Sequence, residues 1–192
     1  MNPSQDDPPM AREALLVFVG AICLILIQLM PLRSMSMLAR PLWLDECITD
    51  LVVREASTSK AFVDLLAGGV DANPPAYYVL MRGLAFVGLH SPTTYRVTAL
   101  ICIAGALAGV YCILRRTFDP FAAAVGVAGL WSIGIAVEHT FEARFYSLLL
   151  LATVWSALFA ARVEHGWTMR LGLALTAVVV CTTHWFGIVG LA

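Results

Sequence analysis

Residues 41–47 read PLWLDEC, and the adjacent carboxylates Asp45 and Glu46 stand shortly after a long apolar run. A carboxylate there can take the proton of an acceptor hydroxyl as the nucleophile forms. Its neighbour can orient that acceptor or help to hold a metal ion. The same pair also suits a helix start, with Asp45 as N-cap and Glu46 in the first turn, favourable by about 1 kcal/mol. A second group lies in EHTFEARFY, residues 138–146. Glu142 and Arg144 are two apart, a spacing that does not bring side chains face to face on a helix, so a local ion pair is a poor account of them. A guanidinium at that place can bind phosphate through two parallel hydrogen bonds and meet the charge of a departing phosphate; the alternative is an arginine reaching for lipid headgroups. Arg82, in the middle of an apolar stretch, has the same two readings. Asn73 ahead of Pro74 and Pro75 marks a turn, and Tyr77 and Tyr78 suit a membrane boundary. His184, deep in the last apolar run, reads as a packing residue before it reads as a ligand.

The elements that must position these groups are apolar helices. Of the 192 residues 60% are hydrophobic and 13% charged, with a mean hydropathy of +0.83. A soluble domain carries about twice that share of charge, so composition places the chain among membrane proteins. A net charge of −1 leaves no basic field for nucleic acid. The five cysteines are scattered, with neither CxxC nor a Cys/His metal spacing, so no disulfide framework or zinc site is expected. A helix of roughly 17–25 apolar residues crosses a bilayer core. Five stretches reach that length: 14–32, 97–114, 121–137, 145–161 and 171 to the C-terminus. Residues 1–13 read as a cytoplasmic leader, and no cleavage-like pattern follows, so 14–32 reads as an uncleaved anchor.

The stretch 74–90, PPAYYVLMRGLAFVGLH, is short and carries Arg82. If it does not span, Arg115, Arg116, Arg162 and Arg170 share one side, which the positive-inside rule makes the cytoplasm. It is therefore expected at, or dipping into, the outer interface. The fold class that follows is all-α integral membrane. One module, residues 14–192, holds about five transmembrane helices and a long first extracytoplasmic loop, about 33–96, with juxtamembrane helices. Nearly all acids beyond the leader, Asp45, Glu46, Asp50, Glu142 and Glu138 among them, then lie on the outer face. The spans hold no carboxylate, which counts against a proton-relay transporter. The end CTTHWFGIVGLA is still apolar at Ala192; it reads as a protein stopping at the outer face or as the front portion of a longer chain.

In order, WLDE, NPPAYYVLMRG, RVTAL opening a run that ends LRRTFD, FEARFYSLLLL and THWFGIVGLA form a series. From about Trp43 to Ala192 this series resembles the N-terminal half of the membrane-embedded C-class (GT-C fold) glycosyltransferases, nearest to bacterial relatives of the protein O-mannosyltransferases and lipid A aminoarabinose transferases. The resemblance implies a plasma-membrane transferase that moves a sugar from a polyprenyl-phosphate donor to an acceptor on the extracytoplasmic face. It matches Asp45 to the family's essential aspartate, as base or acceptor-positioning group, and Glu46 to the second acid of that pair. Glu142 and Arg144 match an E-x-R that addresses acceptor or donor phosphate. Asn73 stands where many relatives have the histidine of His-Pro-Pro, and relatives continue through further spans. The implied partners are membrane lipid, the lipid-linked sugar and an acceptor. A divalent metal on Asp45, Glu46 and Glu142 stays open. The competing reading is a non-catalytic or truncated membrane subunit that binds a lipid or a partner. An acyltransferase would need His184, His139 or His90 beside an acid.

Overall fold

The computed structural model describes residues 12–13, 15–20, 41–55, 58–69, 73–131 and 142–184. Among them every regular element is helical, in keeping with the all-α expectation. After the helical residues 15–20 come α1 (Leu44–Glu55), α2 (Ser59–Ala67), α3 (Ala76–Phe86), α4 (Pro92–Leu114), α5 (Pro120–Trp131), α6 (Tyr146–Ala160) and α7 (Trp167–Thr183). Most of the expected span 14–32, the end of 121–137, Glu138, His139 and residues 185–192 lie outside the described residues.

The caps explain where the helices start. Ser91 Oγ accepts the Thr94 N–H at 3.1 Å and Pro92 takes the first helical position, both favourable at an N-terminus. Helix α4 therefore opens at Pro92, before the apolar run begins at Val97. Its 23 residues and hydropathy of 2.4 make it the one described helix long and apolar enough to cross a membrane. Helices α5, α6 and α7 are apolar but shorter. Asp119 Oδ1 caps α5 by accepting from Phe121 N and Ala122 N at 2.9 and 3.1 Å. Gly166, at φ +125°, supplies the turn into α7, a conformation that L side chains rarely adopt. Helix α3 has 11 residues. That is about 16 Å of helix, roughly half a bilayer core, the length expected of a stretch that does not span.

Helix α6 packs between α4 and α7, α5 packs on α4, and α3 contacts α1 and α7. One core cluster joins Leu100, Ile103, Leu107 and Tyr111 of α4 to Ala123, Val127 and Trp131 of α5. The other joins Val53, Tyr77, Met81, Tyr95, Ala143 and Phe145. Tyr77 and Tyr78 are buried at 2% exposure each, because that face of α3 packs into the protein. Outward-facing Ile101, Val125, Leu150, Leu175 and Val178 are apolar too, the pattern of helices hydrophobic all round.

Gly105 and Gly109, one turn apart on α4, let α6 approach closely, a small-xxx-small contact. A Cβ on Gly109 would lie 2.7 Å from Val154 Cγ1, and one on Gly105 2.9 Å from Leu151 Cδ1. The approach is fixed by Trp155 Nε1–H, which donates to the Gly105 carbonyl at 3.0 Å. Gly109→Val is expected to cost about 1–3 kcal/mol by overpacking. Thermal melts in detergent should show it, against a Gly83→Val control where a Cβ meets nothing within 4 Å.

Candidate functional site

The start of α1 decides what its two acids do. Trp43 is the N-cap, its carbonyl accepting the Cys47 N–H at 2.9 Å. Glu46 Oε2 reaches back to the Trp43 N–H at 3.3 Å, the return half of a capping box. Asp45, expected as the cap, is thus already inside the helix. Its carboxylate is left for another partner, and that partner is Arg144: the two form an ion pair across 99 residues of chain. Their side chains are 35% and 11% exposed respectively, so the acid stays within reach of solvent while the arginine is mostly covered. The Arg144 guanidinium lies over the rings of Phe145 and Tyr146, 5.3 and 5.6 Å from their centroids, an arrangement that holds a cation in place. The Phe145 ring in turn meets the His184 ring at 4.9 Å. Asp45, Arg144 and His184, widely separated in sequence, are therefore gathered at one place.

Glu46 sits beneath them and is fully buried, as is Arg96. Its Oε2 accepts from Arg96 Nη2 at 3.0 Å and its Oε1 from the Ala143 N–H at 2.8 Å. Thr49 Oγ1 donates to the Ala143 carbonyl at 3.2 Å, and Arg96 Nη2 also reaches the Pro41 carbonyl at 3.3 Å. Glu46 neighbours Asp45, and Ala143 neighbours Arg144. The buried clamp thus sets the position of the ion pair above it. Glu46, expected to share the chemistry with Asp45, is placed as its fastener. Arg96 was not among the expected site residues. Its one signal is a charge immediately ahead of the apolar run 97–114.

The remaining candidates spread out. Glu142 is half-buried and opens the same segment as Arg144. Arg82 Nη1 donates to the Val53 carbonyl at 2.6 Å. It thereby meets the carbonyl end of α1, where cations are favourable. Tyr77 packs under Ala143 and Phe145, and burial pushes its phenol well above the usual range. Asn73 is half-buried in the bend before α3, and His90 is exposed. Asp45 and Glu46, successive on a helix, do not face each other, and a different arginine holds each. They do not converge on a common cation. Among the described residues no group of three or more His, Cys, Asp or Glu could hold one.

Comparison with protein-family models, curated proteins and solved structures gives no match. A groove of about 380 Å³ runs between α6 and α7, lined by Leu148, Leu151, Trp155, Phe159, Leu175 and Val179 among others. It is apolar, and it reaches Leu148, one helical turn beyond Arg144. An anion on the guanidinium with an apolar chain attached has somewhere to lay that chain.

Proposed function

We propose that this chain is a multi-pass plasma-membrane glycosyltransferase of C-class type, which moves a sugar from a polyprenyl-phosphate donor to an acceptor on the extracytoplasmic face. The observation that carries the reading is the meeting of Asp45 and Arg144, a base and a phosphate-binding cation, at an accessible point above a buried clamp. About five spans belong to this reading, four of them ending in or formed by α4 to α7 and one by 14–32; the apolar outer faces of α4 to α7 support it. In the free protein Arg144 is paired with Asp45. A donor phosphate draws the guanidinium to itself and leaves an Asp45 oxygen for the acceptor hydroxyl. That hydroxyl gives its proton to Asp45 as its oxygen bonds to the anomeric carbon. The bond from that carbon to the phosphate oxygen breaks, and the phosphate leaves with the electron pair, its charge met by Arg144. The polyprenyl tail lies in the α6–α7 groove, while the Phe145 and Tyr146 rings hold the guanidinium and His184 meets the Phe145 ring.

The test is native mass spectrometry of the protein with added polyprenyl monophosphate. Wild type is expected to carry one adduct that Arg144→Ala loses. An adduct indifferent to Arg144 would overturn the donor site. The ion pair itself favours a second reading, a non-catalytic lipid-binding subunit, because it neutralises the only accessible acid of the pair. A wild-type protein that binds polyprenyl-phosphate sugar and never consumes it would decide for that reading.

A further inference from the structure

The other end of α4, away from Arg144, holds a second polar cluster. Glu13 Oε2 accepts from Tyr111 Oη at 3.2 Å and from Arg115 Nε at 3.0 Å, and Arg115 Nη1 donates to the Phe118 carbonyl at 2.9 Å. The hydrogen bond from Arg115 holds the Glu13 carboxyl below its usual range. Glu13 and Tyr111 form the polar end of a cavity of about 430 Å³, whose other walls include Val17, Gly20, Leu107, Val127 and Trp131. From Glu13 to Gly20 the cavity follows some seven residues of helix, about 10 Å. It lies alongside the last turns of α4, the one described helix long and apolar enough to cross a membrane.

We infer that this cavity binds one acyl chain of an anionic glycerophospholipid, with the lipid phosphate on Arg115. Three features select that occupant. The walls are apolar and the polar groups stand at one end only, where a headgroup belongs. That end coincides with the end of α4, hence with the edge of the bilayer that α4 crosses, so the rest of the cavity is at acyl-chain depth. The charge also fits: Arg115 stands at the polar end, a cation for the lipid phosphate. Among the described residues Arg115 uses Nε and Nη1 on protein oxygens, and Nη2 is the group offered to an incoming oxygen. The site is at the opposite end of α4 from the Asp45–Arg144 pair, near the opposite leaflet. It needs α4 in a membrane but does not need sugar transfer.

The experiment titrates phosphatidylglycerol, and separately diacylglycerol of the same chains, into the full-length protein in detergent and counts bound lipids by native mass spectrometry. Wild type is expected to hold one phosphatidylglycerol more tightly than the rest and to prefer it to diacylglycerol. At Gly20 a Cβ meets nothing within 4 Å, so Gly20→Phe projects its ring into the cavity. Displacing even a few methylenes at about 0.8 kcal/mol each should weaken that lipid by about tenfold or more. Ala128→Phe fills the same space from α5 if the first variant does not fold. Arg115→Gln should remove the preference for phosphatidylglycerol and leave the chain bound. Asp45→Asn should bind lipid as wild type does, which separates this site from the proposed transfer chemistry. Full-strength binding by folded Gly20→Phe and Ala128→Phe variants, or equal binding of both lipids by wild type, would overturn the inference.

Discussion

Asp45→Asn is expected to lower sugar transfer by about 10²–10⁴-fold, the usual contribution of a positioned general base, while leaving the protein folded. Asparagine keeps the shape of the side chain and an oxygen for Arg144 but is not a base at neutral pH. The ion pair it replaces is part-exposed on the Asp45 side, so its loss should cost no more than about 1 kcal/mol of stability. The rate would be read as release of polyprenyl phosphate from a polyprenyl-phosphate sugar in membranes that contain the protein. A melt of the same preparation would show that the fold is intact. Transfer that survives the substitution would remove Asp45 from the chemistry. An equal loss in Asp45→Asn and Asp45→Ala would separate the base from a mere spacer, since only the second variant also releases Arg144.

The largest effect on stability is expected one residue away. Glu46 and Arg96 are both fully buried and bonded to each other. Removing one member of such a pair leaves the other charge buried and unmatched, a loss of about 3–5 kcal/mol. Arg96→Met should therefore unfold far more readily in a denaturant or heat series than Asp45→Asn does. Adding Glu46→Gln to Arg96→Met should recover part of the loss. Glutamine is uncharged, and its oxygen can still accept the Ala143 N–H. Losses that simply add, within about 0.5 kcal/mol, would mean that the pair is not coupled and that the clamp does not hold the site.

The helices were readable from apolar runs, but their ends were set by single polar residues. Ser91 moves the start of α4 to Pro92, and Asp119 and Gly166 do the same for α5 and α7. The candidate site was readable in part. Asp45 and Arg144 were each recognisable as charges out of place, and the spacing of Glu142 and Arg144 made a local pair a poor account of them. Nothing local could say that Asp45 and Arg144 are partners, since 99 residues separate them. Arg96 escaped for the same reason: it looks like a boundary arginine until Glu46, 50 residues earlier, is seen against it. The burial of Tyr77 and Tyr78 was not readable, because an aromatic residue near a membrane edge is equally at home facing lipid or facing the protein. Helix α3 turns them inward.

The Glu46 carboxylate has a consequence in time as well as in space. Synthesis runs from the N-terminus, and assembly tends to follow it. Arg96 emerges 50 residues after Glu46, so the buried charge can be neutralised early. The Ala143 N–H follows only 97 residues after Glu46. Asp45 meets its cation with the residue after that. The Asp45–Arg144 pair is therefore completed last, after the buried Glu46–Arg96 pair beneath it.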